Sequence, residues 1–429
     1  MDIPPTRELR LIRRRTLLLI AGAFGLFGVV FGTWLVLLAE LQVTLALSPA
    51  TLGAALTAGL LASFPVMFFS GRAVDRWGAG CVIAGSVGVI GVAFAGTALA
   101  HTVWILLPFF LLFYSATAAY EVGINAAAIS HEQTSGKRVI SYFHATFSGF
   151  AALSALSVGA LLAFGASPRL LYLTPAALAV CFGLAVWWSG IKLQRDIVPP
   201  LPAKASPRLC LTPTVLLLAA VTALAFLTEG EMGNWLTIYL RSVLDLPVLA
   251  GTSGFVTFHS AMFLGRLAGA RAALQSGRWR VLQVAGATVA GGMLLALVTE
   301  QPLLVVFGVL LVGLGLSVVA PTAYSLVGDA AAEQTGAASS VLTTVGYGGY
   351  LFGPVLVGGI AQVAGLRLAL ATIVVAGSGI ALLSSAQRSV GAGRSPAHSP
   401  PVSTSALSLL PAHSAMPPGL EAQGNGGAV

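Results

Sequence analysis

The rarest chemistry in this chain is a carboxylate inside an apolar run. Glu121 is such a residue, with Asn125 one helical turn after it and Tyr114 two turns before. A helix would align the three as one polar stripe. The next apolar run carries Ser141, His144 and Ser148 on one face. An ionisable group in lipid costs about 2.5–3.5 kcal/mol or more, so it is kept for a task. Glu121 could bind and release a proton, because burial favours the neutral carboxyl. Asn125, His144 and Ser148 offer donors and acceptors to a polar ligand. Glu121 and His144 are expected at similar depth, facing a shared cavity. The plainer alternative is a structural Glu–His or Glu–Asn hydrogen bond.

A second group is Thr228-Glu229-Gly230-Glu231-Met232-Gly233-Asn234-Trp235. Its two glycines weaken a helix, so a kink or unwound turn is expected. Glu229 and Glu231 lie about 200° apart on a helix. One is expected to line the cavity and the other to lie near the outer interface. Trp235 could stack on a sugar-like solute or anchor the helix at the interface. His259 and Tyr347 are further candidates for the cavity wall, with hydrogen bonding and packing as their ordinary roles. Cys81, Cys181 and Cys210 show no metal or redox spacing, and no metal site is expected. No Gly-rich loop ends in Gly-Lys-Ser/Thr, so ATP drive and cofactors are disfavoured. An enzyme is not expected.

The elements that must position these residues follow from composition. Hydrophobic residues make up 57% of 429, and charged residues 8%. A soluble domain carries about 25% charged residues, so the solvent of this chain must be lipid. The expected fold is an all-α membrane protein with twelve spans of roughly 20 apolar residues. They are placed at 16–39, 50–70, 80–100, 103–129, 139–165, 170–190, 212–240, 248–271, 281–299, 303–326, 336–362 and 367–386. The run after Arg15 is too long for a signal-peptide core and reads as the first span. A basic N-terminus (1–15) precedes the first six-helix half (16–190). A polar linker (191–211) leads to the second half (212–386). A Pro- and Ser-rich segment (387–429) is expected to be a disordered tail.

Twelve spans put both termini on one side. Nineteen basic residues fall on that side, against Arg169, Arg241 and Arg367 on the other. Basic loops resist translocation, so both termini are expected in the cytoplasm, with the chain in a bacterial inner membrane. The net charge of +8 has this origin and does not call for nucleic acid.

The halves repeat at an offset of roughly 200 residues, a usual build of carriers with a site near midplane. Glu132-Gln133-Thr134 matches Glu333-Gln334-Thr335, and Gly71-Arg72 matches Gly265-Arg266. After span two, Gly71, Asp75, Arg76 and Gly78 resemble the cytoplasmic signature of the major facilitator superfamily, a latch that can break when the halves rock. The pattern departs at Ala79 and Gly80, and Leu274 replaces the aspartate in the second half.

Further segments resemble the YbjJ-type branch of that superfamily, which is similar to the fucose–proton symporters. They are Glu121-Val122-Gly123-Ile124-Asn125, Phe143-His144 through Ser148, Thr228-Glu229-Gly230 with Asn234-Trp235-Leu236, and Gly346-Tyr347 with Gly353-Pro354. The likeness spans about residues 16–386. It implies two pseudo-symmetric six-helix bundles around a central cavity, working by alternating access. It also implies that Glu121 takes part in proton coupling and sugar recognition. Some relatives have an acid where this chain has Asn234. The Arg in span four and Gly-Pro in span five of drug–proton antiporters are missing here. The expected function is proton-coupled symport of a small polar solute, a sugar or related metabolite first, by a monomer whose partners are solute, protons and lipid. The competing readings are an exporter of a metabolite or drug, and a non-transporting sensor on the same scaffold.

Overall fold

The computed structural model describes residues 7–135, 139–189, 211–330 and 335–392. Every regular element described is a helix. The first half comprises α1 (Arg7–Thr44), α2 (Pro49–Trp77), α3 (Ala79–Leu99), α4 (Val103–Ser135), α5 (Ile140–Ala163) and α6 (Pro168–Trp188). The second comprises α7 (Pro213–Ser242), α8 (Val248–Ser276), α9 (Arg278–Val298), α10 (Pro302–Leu316), α11 (Val319–Ala330), α12 (Thr335–Ala364), α13 (Leu366–Ala369) and α14 (Ala371–Ala392). Among the described residues, twelve helices or helix pairs are long and apolar enough to cross a membrane. Lipid offers no partner to a bare backbone group, and a helix satisfies its own.

Local chemistry sets the helix starts. Ser48 caps α2 by accepting from Thr51 N at 3.1 Å, and Thr212 caps α7 by accepting from Val215 N at 3.3 Å. A proline follows each cap, where its missing N–H costs nothing. The repeat is visible in the turns. Gly78 (φ 86°) joins α2 to α3 and Gly277 (φ 80°) joins α8 to α9. Gly165 (φ 83°) and Gly365 (φ 82°) follow α5 and α12. These left-handed positions favour glycine, and each pair is separated by the same roughly 200 residues seen in the sequence repeats.

Packing repeats as well. In the first half α1 packs on α5, α2 on α4, and α3 on α4 and α6; in the second α7 packs on α12, α8 on α10, and α9 on α10. The halves meet through α2 with α12, α5 with α8, and α1 with α7. The result is two pseudo-symmetric six-helix bundles.

Several boundaries differ from expectation. Helix α1 already starts inside the basic N-terminal segment. The tenth span, expected unbroken over 303–326, splits after Leu316, where Ser317 Oγ donates back to Leu314 O at 2.6 Å. Helix α14 runs on to Ala392, into the segment expected as tail. The linker up to residue 210 and the tail beyond Ala392 lie outside the described residues. The unwound turn offered as one outcome at Gly230 and Gly233 is not formed, and α7 is continuous through both. The ring of Tyr350 packs on Gly230, where a Cβ would come within 2.9 Å of it. Tertiary packing there overrides the local weakness of glycine.

Candidate functional site

Glu121 of α4 comes from the first half and Glu229 of α7 from the second. Both are half-buried, and they are close enough to repel one another. Tyr347 and Tyr350 of α12 complete the group. Tyr350 is a hydrogen-bonding neighbour of Glu229, and Tyr347 lies within electrostatic reach of both acids. Their rings are 6.0 Å apart and pack on Phe226 of α7. Across the divide Tyr347 meets Phe64 of α2, ring centres 6.4 Å apart. Two carboxylates and an aromatic wall thus share one place between the halves.

Three neighbouring polar residues are turned onto their own helices. Asn125 Nδ2 donates to Glu121 O at 2.9 Å, Asn234 Nδ2 to Gly230 O at 2.9 Å, and Ser148 Oγ to His144 O at 3.1 Å. Such back-bonding is the default of short polar side chains in a helix.

Glu121 and His144 are not paired, which corrects the expectation of a common depth. His144 lies about one turn into α5, whereas α4 continues about four turns beyond Glu121. His144 instead packs edge-on against Phe24, with ring centres 5.2 Å apart, and feels Arg266 of α8. His259 also feels Arg266 and lies against Phe255 at 4.2 Å.

Three further expectations change. Tyr114 is buried in the first half against Trp34, Phe110 and Phe113, with Gly59 against its ring. It leaves the polar stripe because the aromatic cluster claims its face. Trp235 is fully buried, so it is neither an exposed stacking platform nor an interfacial anchor. Glu231 is also fully buried, inside the second half. It contacts Thr372 of α14. Glu229 is therefore the cavity acid of the pair.

Two features escaped the sequence reading. Tyr350 follows Tyr347 by three residues, the spacing that puts two side chains on one helix face. The other feature lies at the far face, opposite the near face where α1 starts and α14 ends. There Glu40 of α1 forms an ion pair with Arg241 of α7 and so ties one half to the other. Gly53 of α2 abuts the Pro354 carbonyl of α12, and a Cβ on Gly358 would lie 3.1 Å from Gly53 Cα. Gly159 of α5 faces the Thr252 side chain of α8. The far face is closed backbone to backbone. Of the latch residues, Gly78 makes the turn, Arg76 lies 5.9 Å from the Trp77 ring centre, and Asp75 is exposed. None of the ion pairs among the described residues includes Asp75.

Glu40→Ala is expected to loosen the far face modestly. A partly exposed ion pair contributes about 1 kcal/mol or less, so the closed-to-open ratio should fall by no more than about fivefold. Gln42→Cys, in a background with the three native cysteines replaced, reports this through its labelling rate by an impermeant maleimide. An unchanged rate would mean the pair does not hold the face shut.

The comparisons agree with this architecture. An uncharacterised MFS-type transporter of Yersinia pestis is 28% identical over 349 residues, covering 81% of this chain and 89% of its own. An uncharacterised transporter of Sinorhizobium fredii is 28% identical over 358 residues, covering 81% and 92%. The solved nucleoside transporter NupG superposes with a TM-score of 0.72 at 15% identity, covering 87% of this chain and 99% of its own. A bacterial homologue of the human lysosomal transporter Spinster, in an inward-facing and occupied conformation, gives a TM-score of 0.69 at 15% identity, covering 90% and 99%. The sequence model of the Major Facilitator Superfamily matches residues 18–354, and the chain belongs to that superfamily of multi-pass membrane transporters.

Proposed function

We propose that this transporter is a proton-coupled symporter of a small polar solute, a sugar or related metabolite, working by alternating access. The observation that carries the reading is the meeting of Glu121 and Glu229 across the divide between the halves. Tyr347 and Tyr350 adjoin them, and none of the ion pairs among the described residues includes either acid. Two like charges held together in a poorly solvated place require compensation. A proton on Glu121 supplies it and leaves a hydroxyl-rich solute free to bond both acids. The Phe226 and Tyr347 rings offer apolar faces to its C–H groups, while Asn125 follows Glu121 by four residues and Asn234 follows Glu229 by five. Ser148, His144 and His259 belong to the same route nearer Arg266.

The state in hand is read as open toward the near face. The Glu40–Arg241 pair and the Gly53–Gly358 approach close the far face, and Asp75 stands free, as a released latch would. The excess of basic residues on the near side supports a cytoplasmic assignment for it and for both termini, in an inner membrane. The nucleoside carried by one structural neighbour includes a sugar, which is compatible with this solute class; at 15% identity that likeness supports the fold only.

The test is a thermal-shift screen of purified protein against a metabolite panel, followed by uptake into proteoliposomes with an imposed pH gradient. Accumulation of a stabilising solute is expected when the gradient drives protons with it. No accumulation under either polarity would sink proton-coupled transport.

A further inference from the structure

Glu231 plays no part in the site above, yet it is a carboxylate with no exposed surface. Its Oε2 lies 2.9 Å from Thr372 Oγ1, and its Oε1 is buried without a partner. Thr372 Oγ1 also lies 2.6 Å from Ala369 O. A hydroxyl carries one hydrogen, and a carbonyl can only accept. The shorter contact to Ala369 claims that hydrogen. If Glu231 were ionised, the 2.9 Å contact would join two oxygens with no proton between them. A proton on Oε2 completes it, with Glu231 donating to Thr372 and Thr372 donating to Ala369.

Among the described residues, the ionisable groups on the neighbouring helices are engaged elsewhere. On α7 itself, Glu229 turns to Tyr350 and Arg241 is paired with Glu40 of α1. On α12, Gly353 packs against the Glu231 Cγ. On α13, Arg367 is bonded to Glu300 at 3.1 Å. On α8, His259 sits among Phe255, Phe258 and Arg266; on α11, Tyr324 is bonded to Thr343 and Asp329 pairs with Arg278. An ionised Glu231 would bear the desolvation of a charge with no hydrogen bond to offset it.

We propose that Glu231 is a second proton-binding site, enclosed in the C-terminal half with Thr372 as its partner and separate from the cavity carboxylates. It stands whether or not transport is proton-coupled. Its proton can exchange only when the α7–α14 contact parts, so its occupancy follows the internal packing of that half and not the access of the cavity.

Infrared difference spectroscopy of the full-length protein in lipid tests this with the proton as the only ligand. At neutral pH the wild type should show the C=O stretch of a protonated carboxylic acid. In a Glu121→Gln background, which takes the cavity carboxyl out of the spectrum, Glu231→Gln should remove that band, and Glu229→Gln should leave it. Thr372→Val should keep the band but shift its frequency. No such band in the wild type, or one untouched by Glu231→Gln, overturns the proposal. If Glu231→Gln does not yield folded protein, an unshifted band in Thr372→Val overturns it equally. Thermal unfolding gives a second reading. A group neutral when folded and ionised when unfolded loses stability as pH rises above about 4.3, the ordinary glutamate value. The wild type should therefore lose Tm more steeply than Glu231→Gln between about pH 5 and pH 8. Parallel slopes would count against the site.

Discussion

Glu121→Gln is expected to abolish accumulation driven by a pH gradient while leaving solute exchange across the membrane intact. The amide keeps the size and much of the hydrogen bonding of the acid but cannot cycle a proton. Gradient-driven uptake should therefore fall to the equilibrated level, because no proton crosses with the solute. Exchange at equal pH needs no net proton movement and serves as the internal control. Full accumulation by the variant would remove Glu121 from the coupling step. Loss of exchange together with accumulation would make it a solute ligand only.

Gly358→Leu is expected to drive the far face open. The glycine sits where a single added carbon already meets the Gly53 Cα and the Pro49 carbonyl of the other half. Overpacking of this kind costs about 1–3 kcal/mol, which moves the closed-to-open ratio roughly fivefold to a hundredfold. The Gln42→Cys labelling assay should report a correspondingly faster rate, larger than that of Glu40→Ala. The ranking matters, since backbone contact should outweigh a partly screened ion pair. An equal or smaller effect at Gly358 would mean that the two bundles do not hinge on this contact.

The helices were legible because lipid imposes one rule on every span, and the rule shows in composition. The duplication was legible in the paired motifs Glu132-Gln133-Thr134 with Glu333-Gln334-Thr335 and Gly71-Arg72 with Gly265-Arg266, while the matching glycine turns at Gly78 and Gly277 emerged only with the structure. The site was legible only in part. Glu121 announced itself by the cost of its setting, and so did the Glu229–Glu231 pair. Which acid of that pair meets the cavity depends on the rotation of α7 against α12, which nothing local specifies. Tyr114 shows the same limit, because periodicity put it beside Glu121 and the Trp34–Phe113 cluster pulled it away. His144 failed through depth, since it lies about one turn into α5 while α4 runs about four turns beyond Glu121. The Glu40–Arg241 pair was illegible because its members lie 201 residues apart, on helices whose contact is a matter of conformation.

The parked amides of Asn125 and Asn234 carry a consequence for how firmly any cargo can be held. Each has one N–H on a carbonyl of its own helix and meets a visitor with the other N–H and the amide oxygen, exchanging bonds to water for bonds to cargo. Binding is then a trade of one hydrogen bond for another, and the net gain per amide is about 1 kcal/mol or less. A catalyst or a receptor would be poorly served by such weak ligands. A carrier is not, because it has to release on the other side what it collected on the first. On the proposed assignment of Asn125 and Asn234 to cargo recognition, contacts this weak keep the passage from becoming a trap.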